Sequence, residues 1–412
     1  MADPDLGPYW SRMHGRMHVQ MRWCTTGRDL MRLRHRSGRL VHLSSGIDVH
    51  GTRDLPAVVE RIDAYATEVR SRLDAGVLAV SLWLPPTLAA ALAVDGRLRT
   101  RLRGELDARG LEVVTLSGMP YAGGGGENPI EEPDWSDPDR LEYTLDLARV
   151  LVDLLPDDAV RGAVTTIGLG RRAGWDDAKE KACGRVLGRL SAGLAEVAWH
   201  TGRAVRVGLQ PEPGNVLDAT DQTIAALAGV GKERIGICLD LANLACTWED
   251  PADALDRLTQ AGLSVIQVRI AAAVEVPAPP AAADILRGYL PAGDRCPITN
   301  AGGAYLDEMP ASADDFPPGP WRVRRHVPLA EVPPAPLTAT TDVWRAALRH
   351  LMGGAQPGTE CLDVHAAPRG ETPPDRPAGT PAPADSIASE LAYASNELAN
   401  LGLTPPAQAR AA

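Results

Sequence analysis

From about residue 40 onward, short apolar runs alternate with longer stretches whose apolar positions recur at helical spacing. RLVHLSS (39–45) precedes a stretch carrying Leu55, Val59, Ile62 and Val69, and VLAVSLWL (77–84) precedes a helix opened by Pro85 and Pro86. EVVTLSG (112–118) is followed by a loop and then a helix from Asp137 to Leu155. GAVTTIG (162–168) leads into Trp175 to His200, where Leu187, Leu190, Leu194 and Val197 share one face. AVRVGLQ (204–210), IGICLD (235–240) and SVIQVRIA (264–271) continue the alternation, and ECLDVH (360–365) with Ser386 to Leu401 gives the last strand and helix.

Few of these strands alternate polar with apolar, so each is expected to be buried on both faces, in a parallel sheet with helices outside. Eight such strand–helix units in one chain predict an α/β fold, a (β/α)8 TIM barrel. WRVRRHVPL (321–329) also reads as a strand, and is expected as an insertion, with its loop, between units seven and eight. The proline-rich stretches 276–281 and 366–384 are read as extended loops. The barrel is thus expected over 39–402, with its final helix at 386–401, a basic extension at 1–38 and a tail at 403–412.

Composition changes this picture only at its edges. With 412 residues and 44% hydrophobic content the chain can bury one large core or two ordinary ones. A net charge of −11 argues against general affinity for nucleic acid or anionic membranes. The exception is the first forty residues, where Arg16, Arg22, Arg28, Arg32, Arg34, Arg36 and Arg39 occur with little apolar periodicity. That segment has no secretory h-region and no later run is long enough to span a bilayer, so it reads as an unstructured extension or as a start placed upstream of the true one. The six cysteines form no CxxC pair and no close cluster, which predicts reduced thiols and a cytoplasmic protein.

In a barrel the chemistry sits at the C-terminal ends of the strands. The strand ends here offer Asp48 and His50, Tyr121, Gln210 and Glu212, Asp240 and Asn243, Gln267 and Arg269, Asp363 and His365, with His326 from the inserted strand. Glu212 stands between two prolines in LQPEPGN, a restricted backbone that suits a ligand or catalytic base as well as it suits an incidental turn. Carboxylates and imidazoles gathered this way serve a divalent cation or acid–base catalysis beside a carbonyl.

Several blocks resemble the metabolite traffic protein EboE family of the xylose isomerase-like barrel superfamily. They are HLSSGIDVHG, LSGMPYAGG, PDWSDPDRLEYTLDLARVLVDLLP, VGLQPEPGNVLDAT, IGICLDLANLA and WRVRRHVPL, and the similarity runs from about residue 40 to 402. The resemblance implies a TIM barrel and a role in bacterial clusters that handle secondary metabolites. Sugar phosphate isomerases of the superfamily hold a metal with Glu, Asp, His and Glu after or in strands five to eight. Here Gln210 takes the first place, with Glu212 two residues on, and Asp240 takes the second. Asn243 stands where a His is expected, Arg269 occupies the strand-seven place, and strand eight offers Asp363.

Two lost ligands and a fixed positive charge weaken a metal site formed by Glu212, Asp240 and Asp363. At an effective dielectric of about 20, unit charges ~4 Å apart repel by about 4 kcal/mol. A bound divalent metal is therefore less expected than its absence, while Arg269 suits an anionic ligand. GLGRRAG (168–174) has GxGxxxG spacing in the fourth unit, which does not predict a nicotinamide site, although Arg171 and Arg172 could meet an anion there. Trp321 and Trp344 are read as packing residues.

Two functions stay open. One is an enzyme of isomerase, epimerase or lyase type acting on a small metabolite. It would use Glu212 or Asp240 as base, His326 or His365 as acid, and His50, Tyr121, Gln210, Asn243 and Arg269 around the substrate. The other is a non-catalytic binding or carrier barrel with a degenerate metal site.

Overall fold

The computed structural model describes residues 31–47, 52, 54–119, 132–290, 296–310, 315, 317–364 and 384–406. In chain order its elements begin with β1 (Arg32–Arg34), β2 (Leu40–Ile47), α1 (Leu55–Arg72), β3 (Leu78–Leu82), α2 (Pro86–Val94), α3 (Gly96–Ala108) and β4 (Leu111–Ser117). They continue with α4 (Pro138–Leu154), β5 (Arg161–Ile167), α5 (Asp177–Thr201), β6 (Ala204–Gln210), α6 (Thr220–Ala226), β7 (Ile235–Asp240), α7 (Leu241–Cys246) and α8 (Pro251–Gln260). After β8 (Val265–Ile270) come β9 (Ala272–Val276), α9 (Pro279–Tyr289), β10 (Ile298–Asn300), β11 (Tyr305–Leu306), β12 (Trp321–Val327) and β13 (Thr338–Ala339). The chain closes with α10 (Thr341–Gly353), β14 (Cys361–Val364) and α11 (Ala384–Asn400).

Strands β2, β3, β4, β5, β6, β7, β8 and β14 pair in parallel in that order, and β14 returns to β2. The ring is therefore closed, a (β/α)8 barrel with helices between its strands. All residues of β3 and β7 are buried, as strands covered on both sides require. The helices start where the sequence supplies caps. Asp54, Asp95, Asp137, Asp176, Asp240 and Asp250 each accept hydrogen bonds from first-turn N–H groups, and prolines fill the first turn of α1, α4 and α8. Trp321 and Trp344 are fully buried, as packing residues should be.

The insertion is larger than one strand. β12 lies outside the ring, in a second sheet of order β11-β10-β12-β9-β13 whose pairings are antiparallel. The stretch 276–281 is not a continuous loop, because Pro279 and Pro280 form the first turn of α9, where missing N–H groups cost nothing. Residues 31–38 are not an unpacked extension either. Met31, Leu33 and His35 are buried, and β1 pairs antiparallel with β2. At the other end Leu403 is buried and Thr404 bridges Arg34, so the packed chain runs past 402. Residues 1–30 and 365–383 lie outside the described residues. No described helix is long and apolar enough to cross a membrane, and the five cysteines described are free and buried.

Candidate functional site

Glu212 follows β6 in a tight loop: its N–H donates to the Leu217 carbonyl at 2.9 Å, and its own carbonyl accepts from Asn215 at 3.1 Å. Gln210, the last residue of β6, is fully buried and donates through Nε2 to Glu212 Oε1 at 2.6 Å. Neighbouring Gly168, at the end of β5, is required there, because any Cβ would run into the Gln210 carbonyl. The first glycine of GLGRRAG thus serves close packing of strand ends. Its arginines are also engaged: Arg172 pairs with Asp218 at 3.0 Å and Arg171 with Asp307 at 3.4 Å.

Asp240 ends β7 and caps α7, with Oδ1 accepting from the Ala242 and Asn243 N–H groups at 2.9 and 3.1 Å. Asn243 donates to the Pro211 carbonyl at 3.1 Å, tying α7 to the Glu212 loop. Into this group reaches Arg324 of β12, which sequence reasoning did not single out. Its Nε donates to Asn243 Oδ1 at 2.5 Å, and its Nη2 lies 3.6 Å from Glu212 Oε1 and 4.0 Å from Asp240 Oδ2. The inserted sheet therefore contributes a cation to the ends of β6 and β7.

Arg269 and Asp363 form the other half of the mouth. Arg269 on β8 is paired in register with Asp240 on β7 and with Asp363 on β14. Its Nη2 donates to Ser117 Oγ at 3.2 Å, its guanidinium lies 5.6 Å from the Trp83 ring centre, and its Nε is buried without a partner. Asp363 accepts from Ser44 Oγ at 2.8 Å. Burial pushes its pKa up to about 6, against the opposing pull of Arg269 and Ser44. Burial likewise pushes Cys238, which donates weakly to Gln210, up to about 12, so it is a neutral thiol. Fully buried Gln267 has no partner at either side-chain atom.

Of the residues expected from sequence, Gln210, Glu212, Asp240 and Asn243 thus converge around Arg324, with Arg269 and Asp363 alongside. His326 has a different partner. Its Nε2 lies 2.9 Å from Glu390 Oε2 on α11, an oxygen that also accepts from the Leu329 N–H at 3.3 Å. The imidazole thus ties the inserted sheet to the final helix, and no described hydrogen bond joins it to Glu212 or Asp240. His50, Tyr121 and His365 lie outside the described residues, as does Asp48. A small cavity of about 20 Å³ behind Glu212 and Asp240 is lined by Ile237 and Leu239, which alternate with inward-facing Cys238. It is on the outer side of β7, and too small for a metabolite.

The described donors do not suit a divalent cation. Arg324 already approaches both Glu212 and Asp240, Arg269 flanks Asp240 and Asp363, and one oxygen of Asp240 is used by backbone N–H groups. Among the described residues no group of three or more His, Cys, Asp or Glu side chains is placed to hold a metal ion. The arrangement suits a ligand with negative charge to set against Arg269, and with a proton for a carboxylate to remove.

No curated protein matches the chain. Among solved structures it is similar to a xylose isomerase-like TIM barrel protein from Mycobacterium smegmatis in complex with magnesium, at 13% identity over 89% of this chain and 94% of that one, TM-score 0.48. A xylose isomerase domain protein from Planctomyces limnophilus is 15% identical over 87% and 96% of the two chains, TM-score 0.48. A 3-keto-D-glucoside 4-epimerase from E. coli is 12% identical over 55% and 78%, TM-score 0.35. The family described as xylose isomerase-like TIM barrel matches residues 71–281, half of the chain, and the protein belongs to that family.

Proposed function

We propose that this barrel takes a small anionic metabolite at its mouth and acts on it by isomerase, epimerase or lyase-like proton transfer, as an EboE-like protein of bacterial secondary metabolism. The observation that carries the reading is Arg269: a buried guanidinium with an unpartnered Nε, set between Asp240 and Asp363 at the strand ends. A cation so placed binds a carboxylate or phosphoryl oxygen and stabilises negative charge developing beside a carbonyl.

Of the three carboxylates, Asp363 is best suited to move a proton. Glu212 and Asp240 face Arg324 and hold fixed hydrogen bonds, so both are already engaged as anchors. Asp363 has one hydrogen bond, from Ser44, and a pKa raised to about 6, near the value a general base needs at neutral pH. A non-catalytic carrier is the second reading, favoured by the internal partners already held by Glu212 and Asp240.

One experiment separates the two. Sugar acids and sugar phosphates that raise the melting temperature are incubated with the protein in D2O and followed by proton NMR. Loss of the signal from hydrogen next to a carbonyl, slowed by about 100-fold or more in Asp363→Asn, is the expected result. Binding without any exchange leaves the carrier, and no binding of any anionic sugar removes both readings.

A further inference from the structure

The N-terminal face of the barrel, opposite the mouth, holds a second polar cavity of about 300 Å³. Arg39, Arg161, Arg206 and Glu360 line it, together with Ala163 and Cys361. Ala163, Ile266 and Cys361 form a small apolar cluster of their own, which separates this floor from Thr165 and Gln267 further along the strands. The cavity is therefore distinct from the mouth.

Its charges do not balance. Glu360 pairs with Arg39 and, at 3.1 Å, with Arg161. Arg206 has no comparable partner: its Nε is buried without a hydrogen bond, and no described carboxylate pairs with it. It belongs to the inward-facing set of β6 with Gly208 and Gln210, so it is aimed into the barrel floor. Burial and the like charge of Arg161 push its pKa below the usual arginine value. A guanidinium left this way is poorly accommodated unless something anionic joins it, and its planar fork fits tetrahedral oxyanions.

We propose that this floor cavity is a binding site for a small dianionic oxyanion of the phosphate type, with Arg206 as its main ligand and Arg161 and Arg39 completing the cationic wall. Three arginines against one glutamate leave an excess of two positive charges, which a dianion neutralises. The volume is enough for a phosphoryl group and several waters. Free phosphate and the phosphoryl group of a small organic phosphate share this chemistry.

The test is calorimetric titration of the full chain with inorganic phosphate at constant ionic strength, set beside thermal melts. Saturable binding is expected. Arg206→Gln should weaken it by about tenfold or more, whereas Arg324→Gln at the mouth should leave it within about twofold. Because the Arg206 charge is unfavourable without the anion, Arg206→Gln should also raise the melting temperature in phosphate-free buffer; an arginine kept for structure alone would lower it. If that variant does not fold, Arg39→Gln, at an exposed position, supplies the loss of affinity instead. Glycerol 3-phosphate run in parallel assigns the source: equal affinity indicates the free oxyanion, and tighter binding an organic phosphate. Absence of binding up to roughly 10 mM phosphate, binding untouched by Arg206→Gln and Arg39→Gln, or binding lost equally in Arg324→Gln overturns the proposal.

Discussion

Asp363 and His42 sit on adjacent strands of the ring and are both buried, yet burial moves them in opposite directions along the pH axis. The Asp363 carboxyl is raised from 3.8 to about 6, so the folded chain binds its proton more tightly than the unfolded chain does. Its contribution to stability is full below pH ~4 and is lost as pH rises towards ~6, on the order of 3 kcal/mol. His42 is lowered from 6.5 to about 4 by burial and by Arg32, so stability falls as pH drops through that window. The two slopes partly cancel in the wild-type profile, and a difference curve isolates Asp363. Asp363→Asn, which keeps an acceptor for Ser44, is predicted to raise stability at pH 7 and to change little at pH 3.5. Denaturant unfolding at both values checks it; equal effects at the two would show that the aspartate is not buried in its charged form.

The element that most shapes the mouth is β12, because it brings Arg324 to two carboxylates of the ring. A cation 3.6 Å from Glu212 and 4.0 Å from Asp240 would repel a metal ion brought to those carboxylates. Arg324→Met is therefore predicted to raise affinity for Mn²⁺ by about tenfold or more, and to lower stability by roughly 2 kcal/mol as Asn243 and both acids lose a partner. Adding Gln210→Glu and Arg269→His supplies ligands and removes a second charge, so affinity should rise again. Stoichiometric metal in the unmodified protein, lost on Asp240→Ala, would contradict this account. The ring strands were legible in the sequence because runs such as IGICLD and VIQVRI are mostly apolar, buried at every position, and bounded by helical periods. The second sheet was less so. β9 continues the apolar run of β8 after one residue, while β10 and β11 have three and two residues, too few to show a period. Gln210, Glu212, Asp240 and Asn243 were readable because barrel topology puts strand ends together. Arg324 was not, since its contact with Asn243 spans 81 positions and comes from outside the ring.

At the scale of the molecule, the two ends of the packed chain meet on the barrel's β2 side. β1 pairs with β2, and Arg34 exchanges backbone hydrogen bonds with Thr404, at 2.6 and 3.0 Å. His35 reaches the Met352 carbonyl at the end of α10 at 3.0 Å, and Arg36 bonds the carbonyls of Gly353 and Gly354. Residues 31–38 therefore tie the start of the ring to its last units, although their arginines and lack of period made them read as a loose extension. Burial of Met31 and Leu33 alone is worth on the order of 4 kcal/mol. A chain starting at residue 39 is predicted to be less stable than one starting at residue 31 by about that amount, with a correspondingly lower melting temperature. Truncation after Gly402, which removes Leu403 and Thr404 instead, should cost less, because only one large buried apolar side chain is lost. Removing both ends should cost less than the sum of the two, since the Arg34–Thr404 bonds are counted in each. Equal melting temperatures for the chains starting at 31 and 39 would mean that this strap does not hold the ring.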